Sequence, residues 1–178
     1  MTAPFADTKL AVPAVAVTPL DGGGWLLRSP DTLPDYADHM IVYLHKWAAE
    51  APDRVFLAER DRGGRAWRTI TYGETARRSA NLAQALLDQG CNAGRPIAIL
   101  SDNSIEFALV HLAAMTVGVP IMPVSPAYSL MSRDHLKLKS VIESNDPSMI
   151  FVQERGPFEP ALAAIDHSRA MLVTGDDL

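Results

Sequence analysis

Ile97-Ala98-Ile99-Leu100-Ser101-Asp102-Asn103-Ser104-Ile105-Glu106 is the stretch whose reading decides the fold. Four apolar residues in succession describe a short strand buried on both faces, as in the middle of a parallel sheet. The polar residues from Ser101 to Ser104 end that strand, and Asn103-Ser104 can cap the N–H groups of a helix that begins at once. That helix is apolar almost throughout to Val117 and stops at Gly118, and Val119 to Val124 then repeats the pattern of a buried strand. Strand, helix and strand at this spacing require a right-handed crossover between parallel neighbours.

Reading outward confirms the rhythm. Toward the C-terminus follow a loop from Ser125 to Leu130, a helix from about Ser132 to Glu143, a strand from Ser148 to Gln153, a short helix from Phe158 to Ile165 and a strand from Met171 to Thr174. Strands alternating with helices predict an α/β fold, a parallel sheet with helices on both faces. Toward the N-terminus, Thr71-Tyr72-Gly73-Glu74 has the spacing of a capping box. It opens a helix with Ala76, Ser79, Leu82, Ala83, Leu86 and Leu87 on one face and Gly90 as a left-handed stop. Val55 to Asp61 and Ala66 to Tyr72 alternate as strands around Arg62-Gly63-Gly64-Arg65, predicting an N-terminal β-hairpin that packs on the sheet edge or on the first helix. The first helix runs from about Met40 to Ala51, before Pro52. Residues 1–38 read as an extended N-terminal arm, with Pro4, Pro13, Pro19, Pro30 and Pro34, a flexible joint at Gly22-Gly23-Gly24, and Trp25, Leu26 and Leu27 as anchors. Residues 39–178 form the α/β body.

Composition narrows the function. Of 178 residues, 48% are hydrophobic and 21% charged, the balance of a globular domain. A net charge of −5 excludes a phosphate-backbone footprint, so nucleic acid is not an expected partner. Arg60, Arg62, Arg65 and Arg68 lie with Glu59 and Asp61 around the Gly63-Gly64 turn and read as a solvated hairpin. Cys91 is the single cysteine, a small residue past a helix end, which points to a reducing compartment and a cytoplasmic location. Leu10 to Val17 is apolar but far short of the roughly 20 residues of a membrane span, is interrupted by Pro13 and lacks a basic leader.

The chemistry expected of such a sheet is sparse here. A phosphate loop of the G-x-x-x-x-G-K-[ST] type and a dinucleotide fingerprint would each need glycines after a strand, and the turn Leu100 to Ser104 has none. Ser101 stands where a hydrolase nucleophile would, but the flanking glycines of a nucleophile elbow are missing, so strand termination and capping account for it. The third strand runs into Gln153 and Glu154 where a receiver domain would carry aspartate. His39, His45, His111, His135 and His167 show no metal-ligand spacing, and His111, on the apolar helix, reads as a hydrogen-bonded core histidine. The residues alone therefore assign no catalytic, cofactor-binding or metal-binding residue. Pro123, Ser125 and Tyr128, at the exit of a parallel strand, are the residues placed nearest to any ligand, although loop geometry and packing are the better account of each.

Several segments, in order, resemble the N-terminal subdomain of the adenylate-forming superfamily, which includes acyl- and aryl-CoA synthetases. Thr69 to Glu74 is similar to that family's T-Y-x-E helix entry, and Asn81 to Gly90 continues the helix. Gly94 to Leu100 followed by Asn103-Ser104-Ile105-Glu106 is similar to its G-D-R-V-A-I and N-S-x-E signatures. Gly118 to Val124 followed by Pro126-Ala127-Tyr128 resembles G-A-x-x-V-P-V-N-P-x-Y. The resemblance runs from about Met40 to Ile165. Ser125 to Leu130, with Asp134-His135, Lys137-Leu138-Lys139 and the hairpin around Trp67, looks most like feruloyl-CoA synthases.

The resemblance implies an ATP-dependent ligase that joins a carboxylate to CoA through an acyl-adenylate, releasing pyrophosphate and AMP, with Mg²⁺ assisting. ATP, Mg²⁺ and CoA would serve the full-length family member. Its phosphate loop, AMP-binding residues and adenylating lysine match no position before Leu178, so the chain is expected to be an incomplete N-terminal subdomain, inactive alone. Its expected partners are an aryl or acyl carboxylate, ATP and CoA in the intact enzyme. Alone it is expected to self-associate or pair with a missing C-terminal portion. Two alternatives stay open: a non-catalytic interaction or dimerisation module of the same fold, or a ligase fragment for benzoate, coumarate or a fatty acid.

Overall fold

A computed structural model of the protein describes residues 14–61 and 63–178. Leu10, Pro4, Pro13 and Arg62, which figure in the readings of the arm and the turn, lie outside the described residues. The structure divides into two units, with the boundary between Asp38 and His39.

The first unit is more regular than an extended arm. Strand β1 (Ala16–Pro19) pairs antiparallel with β2 (Trp25–Arg28), Val17 opposite Leu27. Gly22, Gly23 and Gly24 all have positive φ, at 92°, 88° and 116°, and the Leu20 N–H donates to the Gly24 carbonyl at 3.1 Å. The triple glycine is thus the turn of a hairpin, a conformation that side chains resist, and not a joint. Trp25 and Leu27, expected as anchors, are 64% and 65% exposed.

The second unit opens with helix α1 (Ile41–Glu50) and a two-stranded antiparallel sheet of β3 (Val55–Arg60) and β4 (Trp67–Thr71). Thr71 caps helix α2 (Tyr72–Asp88), its Oγ1 accepting from the Glu74 N–H at 3.2 Å, while Glu74 turns toward Arg78. The buried stripe of α2 is Thr75, Ser79, Ala83 and Leu86; Leu87 is half exposed, one position off that stripe. The hairpin packs on α2 and on the next helix, not on the sheet edge: Ile70 and Leu57 close over Leu82, Ile105 and Leu109.

The main sheet follows the alternating pattern. Its strands are β5 (Ile97–Ile99), β6 (Ile121–Pro123), β7 (Met149–Val152) and β8 (Met171–Thr174), all parallel in the order β6-β5-β7-β8. Helix α3 (Ile105–Thr116) joins β5 to β6; α4 (Pro126–Leu130) and α5 (Leu136–Asn145) join β6 to β7; α6 (Arg155–Ala164) joins β7 to β8. The segment read as a loop is the single turn α4, which Pro126 can open because a first-turn residue needs no N–H.

Alternate residues of each strand feed two cores, as a pleated sheet covered on both faces demands. Ile97, Ile99, Met149 and Phe151 join Ala83, Leu86, Val110 and Ala113 under α2 and α3. Ala98, Leu100, Ile150 and Val152 join Leu138, Ile142, Phe158 and Leu162 under α5 and α6. Among the described residues no helix is long and apolar enough to cross a membrane.

Candidate functional site

Strand order decides where the site lies. From β5 the chain passes over one face through α3, and from its neighbour β7 over the other through α6. The C-terminal ends of β5 and β7 therefore part company at a topological switch point, the place where open parallel sheets leave a crevice for ligands. A crevice of about 560 Å³ lies there, with Glu59, Arg68, Ser104, Glu106, Gln153 and Asp176 among its walls.

The residues at its base are joined by one polar lattice. Ser101, buried at the end of β5, accepts a hydrogen bond from the Gln153 N–H, which accounts for its position without nucleophilic chemistry. The Ser104 hydroxyl accepts from the Phe107 N–H at 3.0 Å, capping α3, and donates to Gln153 Oε1 at 2.8 Å. Gln153 Nε2 donates to Glu106 Oε2 at 2.9 Å. The Gln153 carbonyl accepts from the Gly175 N–H at 3.1 Å. All four polar groups of Gln153 are thereby engaged.

Glu106 carries the charge of the lattice. It falls in the buried stripe of α3 and is 4% exposed, so it needs a cation. Arg68, on β4, supplies it as a fork, Nη1 to Oε1 at 2.6 Å and Nη2 to Oε2 at 2.5 Å. The same guanidinium pairs with Glu59, through Nε at 2.8 Å and through Nη2. Glu59 in turn accepts from the Ile105 N–H at 2.7 Å, the favourable end of the α3 dipole. Burial pushes the Glu106 carboxyl up, but the Arg68 fork and Gln153 outweigh it and hold the group below the usual carboxylate range. Hydrogen bonding to Glu106 holds Arg68 above its ordinary value despite partial burial. Arg68 is thus part of a half-buried clamp and not of a freely solvated hairpin.

The clamp holds structure rather than moving protons. Glu106 is ionised and its oxygens are filled, so it is no free base. The guanidinium is shared between two carboxylates, leaving one negative charge in excess. Among the described residues no three His, Cys, Asp or Glu side chains are grouped to hold a metal ion.

The residues singled out from sequence separate. Pro123 and Ser125 line a second depression of about 330 Å³ with Ser101, Asn103 and Phe107, beside the first crevice. Tyr128 sits on α4 against the core under α5, with the Lys137 ammonium 5.4 Å from its ring. His135, half of the Asp134-His135 pair, is buried and left-handed (φ 53°), its Nδ1 3.2 Å from the Tyr128 carbonyl oxygen. His111 is exposed and stacks on Phe107, because the buried stripe of α3 passes through positions 109, 110, 113 and 114 and misses it. Arg68 and Glu59, read from the sequence as a solvated hairpin, and Gln153, read only as the end of a strand, are the residues of this site that the sequence did not bring together. The signal was Glu106 itself, a carboxylate set in an apolar helical stripe.

Comparison with known proteins agrees with this architecture. The model of the family described as AMP-binding enzyme matches residues 44–176. Luciferin 4-monooxygenase of Photinus pyralis is 30% identical over 87 residues, 49% of this chain and 15% of that protein. Malpinin synthetase of Mortierella alpina is 25% identical over 153 residues, 84% of this chain and 2% of its own length. Among solved structures, VinN in complex with L-aspartate superposes with a TM-score of 0.63 at 23% identity, over 79% of this chain and 36% of VinN. The chain spans well under two-thirds of each of these relatives. With strand order, helix placement and the family model in agreement, the chain belongs to the family of AMP-binding enzymes.

Proposed function

We propose that this chain is the N-terminal part of an ATP-dependent ligase, of the feruloyl-CoA synthase kind, that converts an aryl carboxylate, ATP and CoA into an acyl-CoA, AMP and pyrophosphate. The observation that carries the ligase reading is the family match across residues 44–176. The finer reading is supported by Ser125 to Leu130, Asp134-His135 and Lys137 to Lys139, and by the depression that Pro123 and Ser125 share. Tyr128 joins them as a positioning side chain, through α4. The chain alone does not turn over in this reading, which the commitment of the Arg68 guanidinium in its crevice to two carboxylates supports. We place the protein in the cytoplasm, in keeping with its single, buried cysteine.

Pairing with the remainder of the ligase is supported by a cleft of about 330 Å³ beside the edge strand β8, with Leu82, Leu86, Met149, Met171 and Val173 in its walls. Left uncovered, this surface leads to self-association.

Titration calorimetry with ATP–Mg²⁺, ferulate and CoA, together with an AMP-release assay, tests the proposal. The chain alone should be silent, and the complete polypeptide that carries it should release AMP with ferulate in preference to benzoate, coumarate or a fatty acid. AMP release by the chain alone would overturn the inactive-part reading. Preference of the complete polypeptide for another acid would overturn the feruloyl assignment and leave the ligase reading standing.

A further inference from the structure

Gln153, just past the end of β7, joins three segments of the fold. Its N–H is bound to the end of β5 at Ser101, its side chain to α3 at Ser104 and Glu106, and its carbonyl to the exit of β8 at Gly175. Gly175 has no room for a side chain there: a Cβ would stand 2.7 Å from Gln153 Nε2 and 2.9 Å from its carbonyl oxygen. Glu106, the acceptor of Gln153 Nε2, is the group that Arg68 grips from the β3–β4 hairpin. A continuous line of short contacts therefore runs from a two-stranded sheet outside the main sheet, across the crevice, to the segment that leaves β8.

We infer that Gln153 and Arg68 are coupled positioning residues: the grip of the hairpin on Glu106 sets the Gln153 side chain, and Gln153 sets the path of the chain leaving β8 at Gly175. Glu106 has two carboxylate oxygens and one of them, Oε2, serves both Arg68 and Gln153. Removing the guanidinium frees a buried carboxylate to move toward water, and the Gln153 amide loses a fixed acceptor. The amide, which fills the space beside Gly175 that a Cβ would enter, then shifts, and the Gly175 N–H loses its fixed approach to the Gln153 carbonyl. An event at the hairpin, such as a partner binding Arg60 and Arg68, is felt at the exit of β8 without any change in the sheet between them. The charged groups facing the line are Glu59, Arg68 and Glu106, with Arg60, Asp61, Glu154 and Asp176 on the crevice wall. This inference does not depend on the proposed ligase reaction, since every residue in it belongs to the described fold.

Amide hydrogen exchange followed by NMR, residue by residue, tests it, since local opening is read separately from global unfolding. Gln153→Ala should raise exchange at Gly175 by about tenfold or more while Ile150 and Phe151 keep their protection. Arg68→Ala should raise Gly175 exchange several-fold although it touches neither residue, and the double variant should exchange no faster than Gln153→Ala alone. Should Arg68→Ala fail to fold, Arg68→Lys decides, because an ammonium keeps the charge but cannot fork to two carboxylates, and Gly175 exchange should still rise. Unchanged Gly175 exchange in the Arg68 variants overturns the coupling. So does a double variant equal to the product of the singles, or a rise spread evenly over the sheet.

Discussion

Arg68 and Glu106 show how much can depend on one pair brought together from distant parts of the chain. Arg68→Ala leaves Glu106 charged and buried, and should lower stability by about 2–3 kcal/mol, less than a fully buried pair because the guanidinium is partly wetted. Urea titration measures this, and a loss under about 0.5 kcal/mol would refute the clamp. The carboxyl also dictates a pH dependence. Its folded value lies below its ordinary one, so its contribution is fully present above the ordinary range near pH 4.3 and is lost as pH falls through the depressed value. Glu106→Gln should flatten the acid limb of the stability profile in that window; an unchanged limb would assign the acid sensitivity to other carboxylates. This pair was legible only by half. A Glu in an apolar stripe announces the need for a cation, but which of the arginines answers is a matter of the hairpin folding back over α3, and no local pattern encodes that.

At the level of elements, the caps were legible because they are local. Ser104 caps α3 as its place before an apolar run requires, and Ser104→Ala should cost about 1 kcal/mol from the cap, with a further loss from its bond to Gln153. Gly118, at φ 69° after α3, has open space around a built Cβ, so Gly118→Ala should cost only the backbone term of about 1 kcal/mol. Gly175→Ala should cost more, about 1–3 kcal/mol, because its Cβ runs into both the side-chain amide and the backbone carbonyl of Gln153. Thermal denaturation of the two glycine variants side by side checks the order; a larger loss at Gly118 would mean that the crowding at Gly175 is easily relieved. The strand β5 was legible for a different reason, since four apolar residues in a row fit a doubly covered strand and little else. The β1–β2 hairpin was not, because glycines and prolines are shared by irregular arms and tight turns. Nor was α4, a single turn with too few residues to show a period. The packing of β3–β4 on α2 and α3 was hidden because alternation fixes which face of a hairpin is apolar but not which neighbour receives it.

For the whole molecule, the alternation of side chains across one sheet has thermodynamic meaning. Ile97 and Ile99 point into one core and Ala98 and Leu100 into the other, so the main sheet of the second unit is the middle of a laminate, with a hydrophobic layer on each face of a shared sheet of peptide groups. Side chains in different layers share no contacts, and their perturbations should sum. Phe151→Leu under α3 and Leu162→Ala under α6 should give free-energy losses that add to within about 0.5 kcal/mol, whereas Phe151→Leu with Val110→Ala, in one layer, should depart from the sum. Double-mutant cycles in urea measure both, and strong coupling across the sheet would show that the layers relax together. If the sums hold, the two faces are free to drift separately in evolution. The layer under α5 and α6 can then be rebuilt without disturbing the one under α2 and α3.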